Sequence, residues 1–196
     1  MDDSHPCHYG MLSDADLLVL SLLLQALESI GVFPKQLRYL VVVLLPKPKG
    51  GFRRFTSLFR LWSRCRKRLT LVQDWFVQVD RPWFAVGKGR SAERCLWRQS
   101  VRAESSSAEE GFVAGTLLWD GRKFYETFDL NLLLTRGRSL GFPEQILQLV
   151  INMYRALRFF RSGPFHYKAG YGRRGLPAGC IWAEAMVKIF CLEPFE

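Results

Sequence analysis

The chain has 196 residues, 48% hydrophobic and 23% charged, a balance that excludes intrinsic disorder and allows one good-sized core or two small subdomains. Its 28 Lys and Arg against 18 Asp and Glu leave a net charge of +10, which suits an acidic partner, nucleic acid or an anionic membrane, and by itself says nothing about fold. Five cysteines, odd in number and without a Cys-x-x-Cys pair, argue against a disulfide framework or a structural zinc site and for a reduced, intracellular protein, nuclear or cytoplasmic.

The first element is marked at both ends. Ser13 with Asp16 three positions on has the pattern of a capping box, and Gly31 followed by Pro34 closes the helix. Ahead of it His5, Cys7 and His8 cluster, but a metal there lacks a fourth ligand. Within the helix, Leu17 to Leu27 is strongly apolar yet far short of the roughly 20 residues of a membrane span. Asp2, Asp3, Asp14 and Asp16 precede it where a signal peptide carries basic residues, so a buried helix is expected, and no membrane segment.

Tyr39 to Leu45, ending at Pro46, reads as a strand, Lys47 to Gly51 as a turn and Phe52 to Phe55 as the returning partner of a hairpin. Next, Leu58, Leu61, Trp62, Cys65, Leu69 and Val72 keep helical spacing, with Arg60, Arg64, Arg66, Lys67 and Arg68 on much of the remainder, predicting one basic amphipathic helix. After Pro82 a loop, Gly87-Lys-Gly-Arg-Ser91, leads into a helix to about Glu104, and Glu104 to Gly111 reads as an acidic linker. Between Val41 and Arg102 stand 15 Lys or Arg against Asp74, Asp80 and Glu93, so the whole basic surplus lies in this third of the chain. Both a phosphate-binding footprint and a solvated basic face fit that block.

Phe112 to Trp119 reads as a strand running directly into Asp120. A helix is predicted from about Tyr125 to Leu140, ending at Gly141, and another from Pro143 to about Leu157. Arg158 to Ala169 has the pattern of a β-hairpin turning at Ser162-Gly163-Pro164; the chain turns again at Gly175 to Gly179 and finishes in a helix through about Leu192. No internal repeat is visible.

Four segments, in this order, resemble the reverse transcriptases of non-LTR (LINE-like) retrotransposons and group II introns. Val41-Val-Val-Leu-Leu-Pro-Lys-Pro-Lys-Gly-Gly-Phe-Arg53 resembles the fingertip hairpin "IPKP-x-G-x-RPI", with Arg54-Phe55 where the family has Pro-Ile. Ala85-Val-Gly-Lys-Gly-Arg-Ser-Ala-Glu93 is similar to "GFR-x-GRS-x-x-x-A". Leu117-Leu-Trp-Asp-Gly-Arg-Lys-Phe-Tyr-Glu126 resembles the first catalytic motif, D-x4-[FY]-D, with Glu126 in place of the second Asp. A competing register through Phe128-Asp129 puts Lys123 where the first aspartate belongs. Arg174-Gly-Leu-Pro-Ala-Gly-Cys180 looks like "RG-x-x-QG-x-x-x-SP", with Ala178 for Gln and Ala183-Glu184 for Ser-Pro.

The resemblance implies a set of roles. Arg53, with Lys47 or Lys49, grips the triphosphate of the incoming dNTP, where cations offset the charge developing on the transferring phosphoryl group. Asp120 and the main-chain carbonyl of Gly121 bind the Mg2+ ions of a two-metal phosphoryl transfer, and Tyr125 lies under the sugar and excludes a 2′-hydroxyl. Lys88 and Arg90 contact template backbone, and the turn holding Gly175 and Gly179 packs against the templating base and primer. The implied partners are an RNA template, an RNA/DNA duplex and dNTP.

A two-metal site needs at least two carboxylates, which the family completes with an Asp-Asp pair further along. In these 196 residues no aspartate follows Asp129, and the one Asp-Asp pair is Asp2-Asp3. The expected fold is α+β and helix-rich, the fingers and a partial palm of a right-hand polymerase: residues 1–38 a helical extension, 39–111 fingers, 112–196 partial palm. The expected function is that of a reverse-transcriptase fragment, catalytically incomplete alone and weak in Mg2+ binding. A non-catalytic basic nucleic-acid-binding module and a non-functional retroelement remnant are the alternatives, the last with an exposed sheet edge and apolar face.

Overall fold

The computed structural model describes residues 6–46, 48, 52–57, 60–85, 87, 89–108, 111, 113, 115, 123–177 and 179–195, with backbone alone for 6, 52–57, 60, 61, 194 and 195. In chain order the elements are helices α1 (Pro6–Tyr9) and α2 (Asp14–Ile30), a 3-10 turn (Lys35–Leu37), strands β1 (Tyr39–Pro46) and β2 (Phe52–Ser57), and helices α3 (Arg60–Lys67), α4 (Thr70–Gln78) and α5 (Ala92–Ala108). Then follow α6 (Phe124–Thr127), α7 (Leu130–Ser139), α8 (Glu144–Arg155), the hairpin β3 (Leu157–Ser162) and β4 (Phe165–Tyr171), and α9 (Ala183–Phe195). The architecture is mixed α+β and helix-rich.

The signals at the ends of α2 act as their chemistry requires. Asp16 N–H donates to Ser13 Oγ at 3.2 Å, the Asp16 carboxylate accepts from Ser13 N–H at 3.3 Å, and Gly31 closes the helix in the left-handed conformation. Burial of this helix differs from expectation. Leu24 is its one buried residue, while Leu17, Leu18, Val19, Leu22 and Leu23 are exposed. Hydrophobicity all round a helix predicts burial only if neighbours cover every side, and α2 lies against the molecule along one stripe. That stripe is fastened by polar links: Asn152 of α8 donates to the Gly31 carbonyl at 2.9 Å, and Glu28 accepts from Trp62 Nε1 at 2.8 Å and from Arg66. Among the described residues no helix is long and apolar enough to cross a membrane.

The four strands form one sheet in the order β2-β1-β3-β4. Each hairpin is antiparallel, and the two join through β1 and β3, which run parallel with Val41 opposite Phe159. A parallel join requires a crossover, here made by the helical segments between β2 and β3. The sheet thus unites a hairpin from residues 39–111 with one from 112–196. Leu40 and Val42 of β1 are buried, whereas Phe165, Tyr167 and Tyr171 on the edge strand β4 are exposed.

Three other expectations change. The single basic helix is two, α3 and α4, divided at Arg68–Leu69; turning the chain there lets both Trp62 and Val72 enter the core fully. The acidic linker does not begin at Glu104, because α5 runs on to Ala108. The helix expected from Tyr125 is interrupted at Phe128–Asp129, giving α6 and α7. The strand expected over 112–119 lies outside the described residues except for Val113 and Gly115, which belong to no strand.

The core centres on α7, α8 and α9. Leu133 of α7, Leu147, Leu149 and Ile151 of α8, and Met186 and Ile189 of α9 are fully buried. Gly137 brings α7 close to α8: a Cβ there would stand 2.7 Å from Leu147 Cδ2. Trp62 packs edge-on to Phe33 at 5.5 Å and lies 5.9 Å from Trp182, and Trp75 Nε1 reaches the Leu140 carbonyl at 2.9 Å. Beneath α9, the Tyr154 hydroxyl and Cys180 Sγ are hydrogen-bonded at 2.9 Å. Burial pushes the Cys180 thiol up to about 11 from its ordinary 9.0, and raises Tyr154 in the same direction.

Two results follow from that pair. Iodoacetamide at neutral pH is expected to modify the exposed Cys7 and Cys65 and to spare Cys180 until the chain unfolds, as peptide mapping would show. Because the folded thiol titrates above the unfolded one, its contribution to stability is complete below pH 9.0 and is lost as pH rises toward about 11. Tm should therefore decline over that interval, and a Cys180→Ala variant should show less of the decline.

Candidate functional site

The third and fourth sequence segments meet through their backbones. Leu176 N–H donates to the Tyr125 carbonyl at 2.7 Å and Gly175 N–H to the Phe128 carbonyl at 2.8 Å, and Asp129 and Arg174 form an antiparallel bridge. The approach is closer than a side chain allows. A Cβ on Gly175 would stand 3.0 Å from the Tyr125 oxygen and the Glu126 Cα, and 3.1 Å from the Glu126 oxygen. Gly175 and Gly179 both have φ of +83°, in the left-handed region that favours glycine.

Tyr125 stands at the surface of this junction, 54% exposed, its ring stacked on Phe128 with centroids 6.3 Å apart. Phe128 is fully buried against Phe190 at 4.4 Å and Phe124 at 4.9 Å, which leaves its ring no access to a nucleotide. Asp129 is committed to its helix: its carboxylate accepts from Asn131 N–H at 2.8 Å and Leu132 N–H at 3.1 Å, capping α7. The backbone donors of Leu132 and Asn131, with smaller help from Arg174 and Arg155 and against some burial, hold this carboxyl below its ordinary 3.8. Asp129→Ala is expected to cost about 1 kcal/mol, the usual worth of such a cap. A depressed folded pKa makes the contribution present above pH 3.8 and lost as pH falls through the folded value, so the gap between variant and parent in urea melts should close on acidification.

Asp120, Gly121, Lys47, Lys49 and Lys88 lie outside the described residues. Arg53 is placed by its backbone on β2 opposite Leu45. Among the described residues no three His, Cys, Asp or Glu side chains are grouped to hold a metal. The acids nearest Tyr125 in sequence are Glu126 and the capping Asp129, so the described acids do not by themselves fit a magnesium pair.

Arg90 is occupied within its own loop. Its guanidinium donates to both carboxylate oxygens of Asp80, at 3.1 and 2.7 Å, and to the carbonyls of Arg81 at 2.5 Å and Phe84 at 3.2 Å. That two-pronged geometry ties Arg90 to the 80–90 loop. The same Asp80 lies 3.5 Å from the Nζ of Lys188, a lysine 3% exposed whose ammonium sits 5.0 Å from the Phe84 ring centre and 5.3 Å from that of Phe76. Close by, Lys67 of α3 pairs with Glu184 of α9 at 3.0 Å. Lys67, Phe76, Asp80, Glu184 and Lys188 line a cleft of about 470 Å³ between α4, the 80–87 loop and α9. Pattern reading missed this cluster. The available signal was Lys188 itself, a lone cation in the otherwise apolar run Ala185 to Leu192.

No protein-family model matches the chain, and no curated protein matches its sequence.

Proposed function

We propose that the chain is the fingers and the front of the palm of a reverse transcriptase of the LINE-like or group II intron type, whose family reaction is RNA-directed DNA synthesis. The observation that carries the reading is the backbone contact of Gly175 with Tyr125 and Glu126. In the resemblance those two segments serve one nucleotide, Tyr125 beneath its sugar and the glycine turn beside its templating base, so they have to be neighbours. They are far apart in sequence, and matching by sequence alone does not require them to touch.

On this reading Arg53, with Lys47 or Lys49, holds the triphosphate, and Tyr125 excludes a 2′-hydroxyl. Magnesium, when bound through Asp120, supplies the charge that steadies the transferring phosphoryl group. Glu126 is the only other carboxylate of the first motif and no aspartate follows Asp129 in these 196 residues, so on this reading the polypeptide taken alone binds template and nucleotide and does not extend a primer. The test is binding of a fluorescent RNA/DNA duplex. Affinity should fall steeply with salt and drop on neutralising Arg53 and Lys88 together; affinity indifferent to both substitutions would sink the assignment. An in-frame Tyr- or Phe-x-Asp-Asp segment in the downstream DNA would support it independently.

A second reading, a nucleic-acid-binding module without catalysis, is favoured by α5. None of its residues is buried, and Arg98 and Arg102 have no hydrogen bond or ion pair among the described residues. Duplex binding that is insensitive to Arg53 and lost with these arginines would favour it.

A further inference from the structure

Helix α2 has two apolar sides, and the molecule covers one of them. At about 100° per residue, Leu20, Leu24 and Glu28 share the side turned inward, and they are its buried or half-buried positions together with Ser21 and Leu27. On the opposite side Leu18, Leu22, Val19, Leu23 and Ile30 span an arc of about 140° that contains no charged residue. Each of these five is 55–69% exposed, and among the described residues no segment covers them. Ala15 and Ala26 run along the middle of the arc, between Leu18 and Leu22 on one flank and Val19, Leu23 and Ile30 on the other. The face amounts to roughly 500 Å² of continuous apolar surface, the size at which a bare patch marks an interaction site.

We propose that this face is a dimer interface, on which α2 of a second copy of the chain lies antiparallel. With Leu22 of one copy against Leu23 of the other, Val19 meets the second copy's Ala26 and Ala15 meets its Ile30. Small side chains then face large ones on either side of a central leucine pair, the pattern that lets two helices interdigitate. Charge sets the direction. Asp14 and Asp16 stand in the first turn, the helix holds no Lys or Arg, and the exposed Lys35 follows its C-terminal end. Antiparallel packing brings each acidic end toward the other copy's Lys35 and opposes the helix dipoles, whereas parallel packing sets acids beside acids. The paired faces hide about 1,000 Å², the floor for a specific interface, so association at roughly tens of micromolar is expected. A lipid surface fits less well: helices that lie in a membrane interface carry Lys and Arg beside their apolar face, and α2 carries acids. None of the four reverse-transcriptase-like segments contains this helix.

Sedimentation equilibrium of the full chain, from about 1 to 200 μM, measures the association. The mass should rise from that of one 22.7 kDa chain to a plateau at two. Leu22→Glu and Val19→Glu, both at exposed positions, should leave the circular dichroism unchanged and weaken association by more than about 10-fold, because unpaired carboxylates would enter an apolar contact. Ala15→Glu combined with Ile30→Lys should associate about 10-fold more tightly than Ala15→Glu combined with Ile30→Glu, since antiparallel packing pairs those positions. Equal behaviour of these two overturns the antiparallel arrangement. The dimer is overturned if the parent stays monomeric at the top of the range, or if its mass climbs past two without a plateau. It is overturned equally if both single glutamate variants associate as the parent does with their circular dichroism intact. Flotation with phosphatidylcholine or phosphatidylserine vesicles supplies the lipid arm: a monomeric parent that floats, beside a Leu22→Glu variant that does not, gives the face to a membrane instead. Should one glutamate variant unfold, the other decides, and should both, the charge-pair comparison does. Because α2 holds neither nucleotide nor template in the reading above, failure here leaves that reading standing, and the reverse.

Discussion

Gly175→Ala should destabilise the chain by about 2–4 kcal/mol, the sum of a left-handed backbone imposed on a residue with a Cβ and of overpacking against a rigid neighbour. The neighbour here is main chain: the Tyr125 oxygen and the Glu126 Cα, each 3.0 Å from where the new carbon would be. A flexible side chain could swing aside, but these atoms cannot without breaking the bonds of Leu176 to Tyr125 and of Gly175 to Phe128. Gly163→Ala supplies the control. Gly163 has φ of +57° with nothing within 4 Å of its added carbon, so it bears only the conformational cost, about 1–2 kcal/mol. Urea melts of the two variants separate the contributions, and exchange of the Leu176 amide reports whether the turn has left α6. If Gly175→Ala costs no more than Gly163→Ala, the close approach is absent, and the proposed function loses the contact it rests on.

What could be read ahead of the structure follows from how local its causes are. The Ser13–Asp16 box, the stop at Gly31 and the turn at Gly163–Pro164 depend on residues within a few positions, and all appear where expected. The interruptions at Arg68–Leu69 and Phe128–Asp129 carry no proline or glycine. They arise because Trp62 and Val72, and likewise Phe128 and Leu133, must reach one core from segments that a single straight helix would aim elsewhere. Exposure of Leu18 and Leu22 on α2, and the parallel join of β1 to β3, are settled by partners more than a hundred residues away or by their lack among the described residues. The candidate site divides in the same way. Spacing picked out Tyr125, Gly175 and Arg90, because motifs are patterns along the chain. That Arg90 would be engaged by Asp80, and that Asp80 would also face a buried Lys188, depends on packing of α9 that spacing cannot express.

Asp80→Ala is the second large effect expected, a loss of about 2–3 kcal/mol. Removing one partner of a buried ion pair commonly costs about 3–5 kcal/mol, because the other charge is stranded. The smaller figure applies here since Asp80 is 32% exposed and water can reach the vacated place. Two cations lose their partner together: Arg90, gripped at 3.1 and 2.7 Å, and Lys188, held at 3.5 Å between the Phe76 and Phe84 rings. Asp80→Asn, which keeps an acceptor but no charge, should fall between the parent and the alanine variant. Adding Lys188→Met to Asp80→Ala should recover a large part of the loss, because an apolar chain of similar volume then fills the place of the stranded ammonium. Thermal or urea melts of the parent, Asp80→Ala, Lys188→Met and the double variant give the coupling directly. The functional consequence separates two roles for Arg90. If the arginine serves to hold the 80–90 loop, duplex binding falls in Asp80→Ala along with stability. If Asp80→Ala costs under about 0.5 kcal/mol, as exposed pairs do, and duplex binding strengthens, the guanidinium is available to phosphate after all, as the family pattern implies.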